Sequence, residues 1–280
     1  MWNLTMPDIT AARAQLDVLF PDTDTTPVLT AEEKDILENL YQEYEQAAGR
    51  PNPAWLEGGL AKSIRNAVLA AYGEISDRGK LSDVRSSLKL SVNECPYCGF
   101  GEIKDLDHHL QKAHFECFSV FPLNLVPACS KCNGHKPRKP RFAPKKHHLH
   151  AYLEDVSAYR FLVAEVALNA KAMSVQFRIE QADGMSDELF ARLQQHLIDF
   201  HLNDRYPAQV NIFLSEQKTA LAFAYEVGGP KAVRTFLERS AKANENSFGV
   251  NDWRVALLSA LSRNSAFCRK GFFRALGFKP

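Results

Sequence analysis

The chain has 280 residues, 45% of them apolar, with 34 Lys and Arg against 33 Asp and Glu. That length and apolar content can bury a sizeable core in one large or two modest domains, and they exclude a disordered chain. Near-balanced charge removes any global electrostatic argument for a nucleic-acid partner. Residues 1–29 begin with Met1 to Phe20, which mixes Asp8, Arg13 and Asp17 into its apolar residues and so lacks the pattern of a signal peptide. They end in Pro21 to Pro27, dense in turn formers, and read as an irregular arm.

Thr30-Ala-Glu-Glu33 is a capping box, and Ile36, Leu37, Leu40, Tyr41 and Tyr44 recur at helical spacing, which predicts a helix over 30–48. A second helical pattern runs through Leu60, Ile64, Ala67, Val68, Ala71 and Tyr72, and a third over Ser82 to Leu90, so that 30–91 forms a helical region. A module over 92–148 then carries four cysteines and closes in the proline-punctuated stretch Pro137 to Pro144. Within 149–280, Tyr159–Leu168 and Met173–Gln181 alternate as a hairpin would. Ser186–Leu202 and Pro207–Val227 read as helices up to the Gly228-Gly229-Pro230 break. Further helices are expected near 230–243, 250–263 and 266–276. No run of about 18 apolar residues occurs, so no membrane span is expected.

The chemistry gathers in the cysteine module. Cys95/Cys98 and Cys129/Cys132 are two C-x-x-C pairs separated by thirty residues, the pattern of a closed tetrahedral S4 zinc site that is structural because it leaves no open coordination position. A C-x-x-C redox centre would leave the second pair unexplained. With four of the six cysteines in a metal pattern, the chain suits a reducing, cytoplasmic compartment, and Cys117 and Cys268 read as small core residues. Charge is also concentrated here. Lys136, Arg138, Lys139, Arg141, Lys145 and Lys146 lie in a stretch free of acids, which suits a phosphate backbone or a solvated loop. His147, His148 and His150 follow it and read as solvated phosphate contacts, whereas His196 and His201 are ordinary amphipathic positions.

Between the cysteine pairs, short extended runs near Ile103–Leu106 and Asn124–Val126 followed by a helix from Ser130 give the order strand, strand, helix. Cys-Pro-Tyr-Cys98, Leu-Asp-His-His109, Asn-Leu-Val-Pro127 and Cys-Ser-Lys-Cys-Asn-Gly-His-Lys136 together resemble the HNH endonuclease family, with its ββα-metal fold and zinc-knuckle support. The resemblance implies an α+β, mostly helical protein with a central HNH module flanked by helical regions.

It further implies hydrolysis of DNA phosphodiesters to 5′-phosphate and 3′-hydroxyl ends. His108 would be the general base, with His109 the alternative, and an ordinary imidazole pKa near 6.5 would let cleavage rise through about pH 6 to 7.5. Asp107 and Asn133 would ligate magnesium or manganese. Asn124 would hold the loop that bears the base, and Lys136, Arg138, Lys139 and Arg141 would meet phosphates. Gln111 stands where family members often carry proline, so the turn after the base is expected to differ. A double C-x-x-C also fits a zinc-binding adaptor without catalysis, and that reading stays open beside the enzyme. Stand-alone HNH proteins with long helical flanks resemble effectors of prokaryotic antiphage defence, some working with an ATPase partner.

Overall fold

The structure is a computed structural model that describes residues 3–22, 28–169 and 172–277. The chain is α+β and mostly helical, with two small sheets, and it divides into two compact units at Asp155/Val156. Among the described residues no helix is long and apolar enough to cross a membrane.

The first unit opens with a helix where an irregular arm was expected: α1 spans Ala12–Leu19 and buries Leu16 and Leu19. Tertiary pairing overrides the weak local pattern. Arg13 donates to Asp35 and Glu38 of the next helix, and the fully buried Lys34 ammonium donates to Asp17 and Asp22. Of the turn-rich stretch, residues 23–27 lie outside the described residues. Helix α2 spans Ala31–Gln46 behind the expected capping box, in which Glu33 N–H donates to Thr30 Oγ1 and Thr30 N–H to Glu33. Its buried face carries Leu37, Leu40, Tyr41 and Tyr44. Helices α3 (Lys62–Ala71) and α4 (Ser82–Leu90) follow at the expected places.

Strand β1 (Asp105–His108) pairs antiparallel with β2 (Leu125–Ala128), with Asp107 opposite Val126 and His108 opposite Leu125. Helix α5 (Ser130–His135) comes next. Side chains on a strand alternate, so Asp105 and Asp107 share one face while Leu106 and His108 share the other. Helix α5 lies on the aspartate face, as the bonds from Asn133 and Lys136 described below require.

The second unit begins with a hairpin, β3 (Leu162–Leu168) and β4 (Met173–Ile179), in register from Leu162–Ile179 to Leu168–Met173. Helices α6 (Asp187–Asp199), α7 (Leu202–Glu216), α8 (Lys218–Phe248), α9 (Trp253–Arg263) and α10 (Phe272–Ala275) complete it. The α6–α7 break falls at His201, whose φ of +50° ends one helix and starts the next upstream of Pro207. Only the first turn then loses a hydrogen bond to that proline. Helix α8 bends at Gly228 and Gly229, the latter at φ +61°, just before Pro230. Helix α9 is buried on nearly every side, through Trp253, Val255, Leu257, Leu258 and Leu261, and forms the centre of this unit. His196 is buried and His201 exposed.

Candidate functional site

All four predicted cysteines converge in the first unit. Their sulfurs lie within 4.8 Å of one another and every one of the four side chains is buried. Each pair is shaped by its own turn. Cys98 and Gly99 donate backbone N–H groups to the Cys95 carbonyl, and Gly99 takes a φ of +74° that a side chain would strain. Cys129 caps α5, its Sγ accepting from Cys132 N–H at 3.4 Å. Gly101 closes the first turn by accepting from Cys95 N–H, and a Cβ there would stand 2.6 Å from Cys129 Sγ. Sulfurs this close cannot all be thiolates unless a cation stands among them. Cys129, accepting from Cys132 and its neighbours, is held low, while Cys95 and Cys132 are pushed up by facing it. Four buried, convergent, soft donors could hold a structural zinc.

On the aspartate face of β1, Asp107 is buried, and its Oδ2 accepts from Tyr97 Oη at 2.8 Å and Lys136 Nζ at 2.6 Å. Lys136 also donates to the His108 carbonyl, and its ammonium is fully enclosed. Burial pushes the Asp107 carboxyl up against the pull of Lys136 and Tyr97, and pushes Lys136 down against the pull of Asp107. Lys136, expected at a phosphate, is therefore a buried partner of Asp107 instead. The sequence pattern placed it one helical turn from Asn133 but could not show that this turn faces β1.

Asn133 Nδ2 donates to Asp105 at 3.1 Å, so the structure brings the asparagine first to the carboxylate two residues before Asp107. A carboxylate only accepts, which sets the amide orientation and turns Asn133 Oδ1 away from Asp105. Asp105 was missed in the sequence, although its i, i+2 spacing from Asp107 on a strand was the available signal. The oxygens of Asp105, Asp107 and Asn133 suit a hard divalent cation by type.

His108 turns the other way. Its Nε2 lies 3.0 Å from the Ser119 carbonyl, and its ring meets Tyr72 edge-on at a centroid distance of 4.5 Å. A carbonyl only accepts, so Nε2 carries the proton and Nδ1 keeps its lone pair. Burial pushes the His108 pKa to about 3, against the Ser119 bond that raises it, which corrects the ordinary value expected from the sequence. His109 is the first residue past β1. It is also buried, and its ring packs 4.2 Å from that of His150.

Asn124 is fully buried and ties the segment between the strands to itself. Its Oδ1 accepts from Leu110 N–H at 2.7 Å and Tyr44 Oη at 3.0 Å, while Nδ2 donates to the Leu110 and Phe118 carbonyls. Where proline was expected, the Gln111 amide donates to the Pro137 and Lys139 carbonyls and so staples the turn after His108 to the basic segment.

His150 is buried in this core, with Nδ1 accepting from Tyr152 and Leu153 N–H and Nε2 2.9 Å from Tyr44 Oη. His147 is buried as well, so neither is a solvated phosphate contact. Apolar neighbours flanking the basic run draw these rings inward. Arg138 and Lys139 are exposed, Arg141 is half-buried, and Cys117 and Cys268 are buried as expected.

Over 193 residues the chain is 32% identical to protein Ea31 of Escherichia phage lambda, an alignment that covers 64% of this chain and 64% of that protein. The chain thus spans under two thirds of the length of this relative. No family model and no solved structure matches the chain.

Proposed function

We propose that the first unit is a metal-dependent endonuclease of the HNH type that hydrolyses DNA phosphodiesters. The observation that carries this reading is the bond between His108 and the Ser119 carbonyl. It leaves a neutral imidazole with a bare Nδ1 on the residue adjacent to a buried carboxylate, and a general base needs that tautomer. Asp107 and Asn133 Oδ1, with Asp105 beside them, would hold magnesium or manganese. When bound, such an ion neutralises charge developing on the phosphate oxygens. His108 Nδ1 takes the proton of the attacking water, Ser119 fixes the ring, and Asn124 and Gln111 hold the loop that follows it. Lys136 keeps the site near neutral in the absence of a divalent ion and supplies positive charge against the same carboxylate.

The test is nicking of supercoiled plasmid by the full chain, with magnesium, with manganese and with chelator. Wild type should nick only with a divalent ion. His108→Ala should lose at least about a hundredfold in rate, the range of general-base contributions, while keeping its zinc. Because burial holds His108 neutral down to about pH 3, the nicking rate should stay flat over about pH 6 to 7.5 rather than rise through that range. Wild type that binds plasmid and leaves it intact under all of these conditions would favour the zinc adaptor instead.

A further inference from the structure

The loop that leaves β1 carries a second cation that the nuclease motif does not use. Lys112 Nζ stands 4.0 Å above the centroid of the Tyr72 ring, whose edge is packed on His108. This makes a short stack in which the ammonium, the phenol and the imidazole follow one another.

The neighbouring cations are neutralised: Arg85 by Asp77, Lys104 by Glu102, and Lys136 by Asp107. Lys112 meets no carboxylate among the described residues, although it is only half-exposed. Burial pushes its pKa down from the ordinary lysine range, with no opposing pull from an acid. An ammonium held partly out of water with no anion beside it costs free energy, and a single cation–π contact offsets only part of that cost. Its charge is also felt at the His108 ring.

The loop is fixed at two points just before the ammonium. Two residues before Lys112, Leu110 is clamped by Asn124 through both backbone groups, and the adjacent Gln111 is stapled to Pro137 and Lys139. A lysine that needed only to stay soluble would not require a fixed loop and an aromatic platform.

We infer that Lys112, held over Tyr72, is a phosphate-binding residue that receives the DNA backbone on the His108 side of the strand. The inference rests on the nuclease reading for the identity of the ligand. Tyr72 is a positioning residue that acts through Lys112 and the His108 ring.

The experiment separates binding from cleavage. Binding of a fluorescent duplex DNA to the full chain is measured by anisotropy without added magnesium or manganese, over a series of salt concentrations, for wild type, Lys112→Ala, Lys112→Arg and Tyr72→Leu. Plasmid nicking is followed in parallel. Lys112→Ala should weaken binding roughly three- to tenfold and lower the slope of log affinity on log salt by about one, as loss of one phosphate contact requires. Lys112→Arg should keep the slope. Tyr72→Leu should fall between them. In nicking, Lys112→Ala should raise KM more than it lowers kcat.

An unchanged slope and affinity in Lys112→Ala, with zinc content and unfolding midpoint equal to wild type, would overturn the inference even if plasmid is cut normally. Failure of wild type to cut plasmid would instead sink the nuclease reading, and the binding arm would still report on Lys112.

Discussion

Two clusters in the first unit are built from the same stretches of chain and meet opposite electrostatic ends. The four cysteines present only sulfur donors to one point, an arrangement that could hold a metal ion. Asp107 lies in the same module, equally buried, yet it already has Lys136 and Tyr97 as partners. A metal held by the first cluster would couple its binding to folding. The second can be assembled in the folded protein beforehand, with a lysine neutralising the carboxylate. Burial alone therefore does not make folding depend on a metal; what matters is whether the protein can supply the counter-charge itself.

The comparison breaks first at the sulfurs. Cys95→Ala, or a strong chelator, should remove zinc and unfold the first unit, the largest effect expected of any single change there, since structural zinc contributes on the order of 10 kcal/mol in small domains. Mass spectrometry of the native protein and thermal unfolding read both outcomes. A variant that stays folded without metal would show that the cysteines are only packed together.

A smaller loss is expected at the second cluster. Lys136→Ala leaves Asp107 buried without its ammonium and should cost about 3–5 kcal/mol in denaturant unfolding. Adding Asp107→Asn should recover part of that loss, because the orphaned charge is removed. If Lys136→Ala costs under about 0.5 kcal/mol, the lysine is at the surface and the contrast fails.

The smallest effect concerns His150, whose Nδ1 accepts two backbone N–H groups and whose pKa burial pushes to about 3. The unfolded chain protonates this histidine near pH 6.5, so the unfolded state binds more protons between those values. Stability is fully present above about pH 6.5 and is lost as the pH falls toward 3. The His150→Phe variant, less stable at pH 7, should show a shallower acid dependence, by up to about 1.4 kcal/mol per pH unit. Equal slopes for the two proteins would mean that His150 is solvated.

Local signals were read well where the chain interacts with itself at short range. The Thr30 capping box, the helix over Ser82–Leu90 and the hairpin alternation around Leu162 and Met173 all depend on neighbours within a few residues. Helix α1 was not legible, because its support comes from Asp35, Glu38 and Lys34 of the next helix. In the site, Asp107, His108, Asn124 and Asn133 could be named in advance and Gln111 marked as a departure, but Lys112 and Tyr72 could not, since each gains its place from a contact across the fold.

By itself the sequence determined that four cysteines at metal spacing bracket an acid, an imidazole and an asparagine, because ligand type and spacing are properties of the chain. Only the tertiary structure decided which of these cations is paired with a carboxylate inside and which is not. Lys136 and Lys112 are the same residue type in one basic module, and their difference is whether a carboxylate lies within reach once strand, loop and helix have packed.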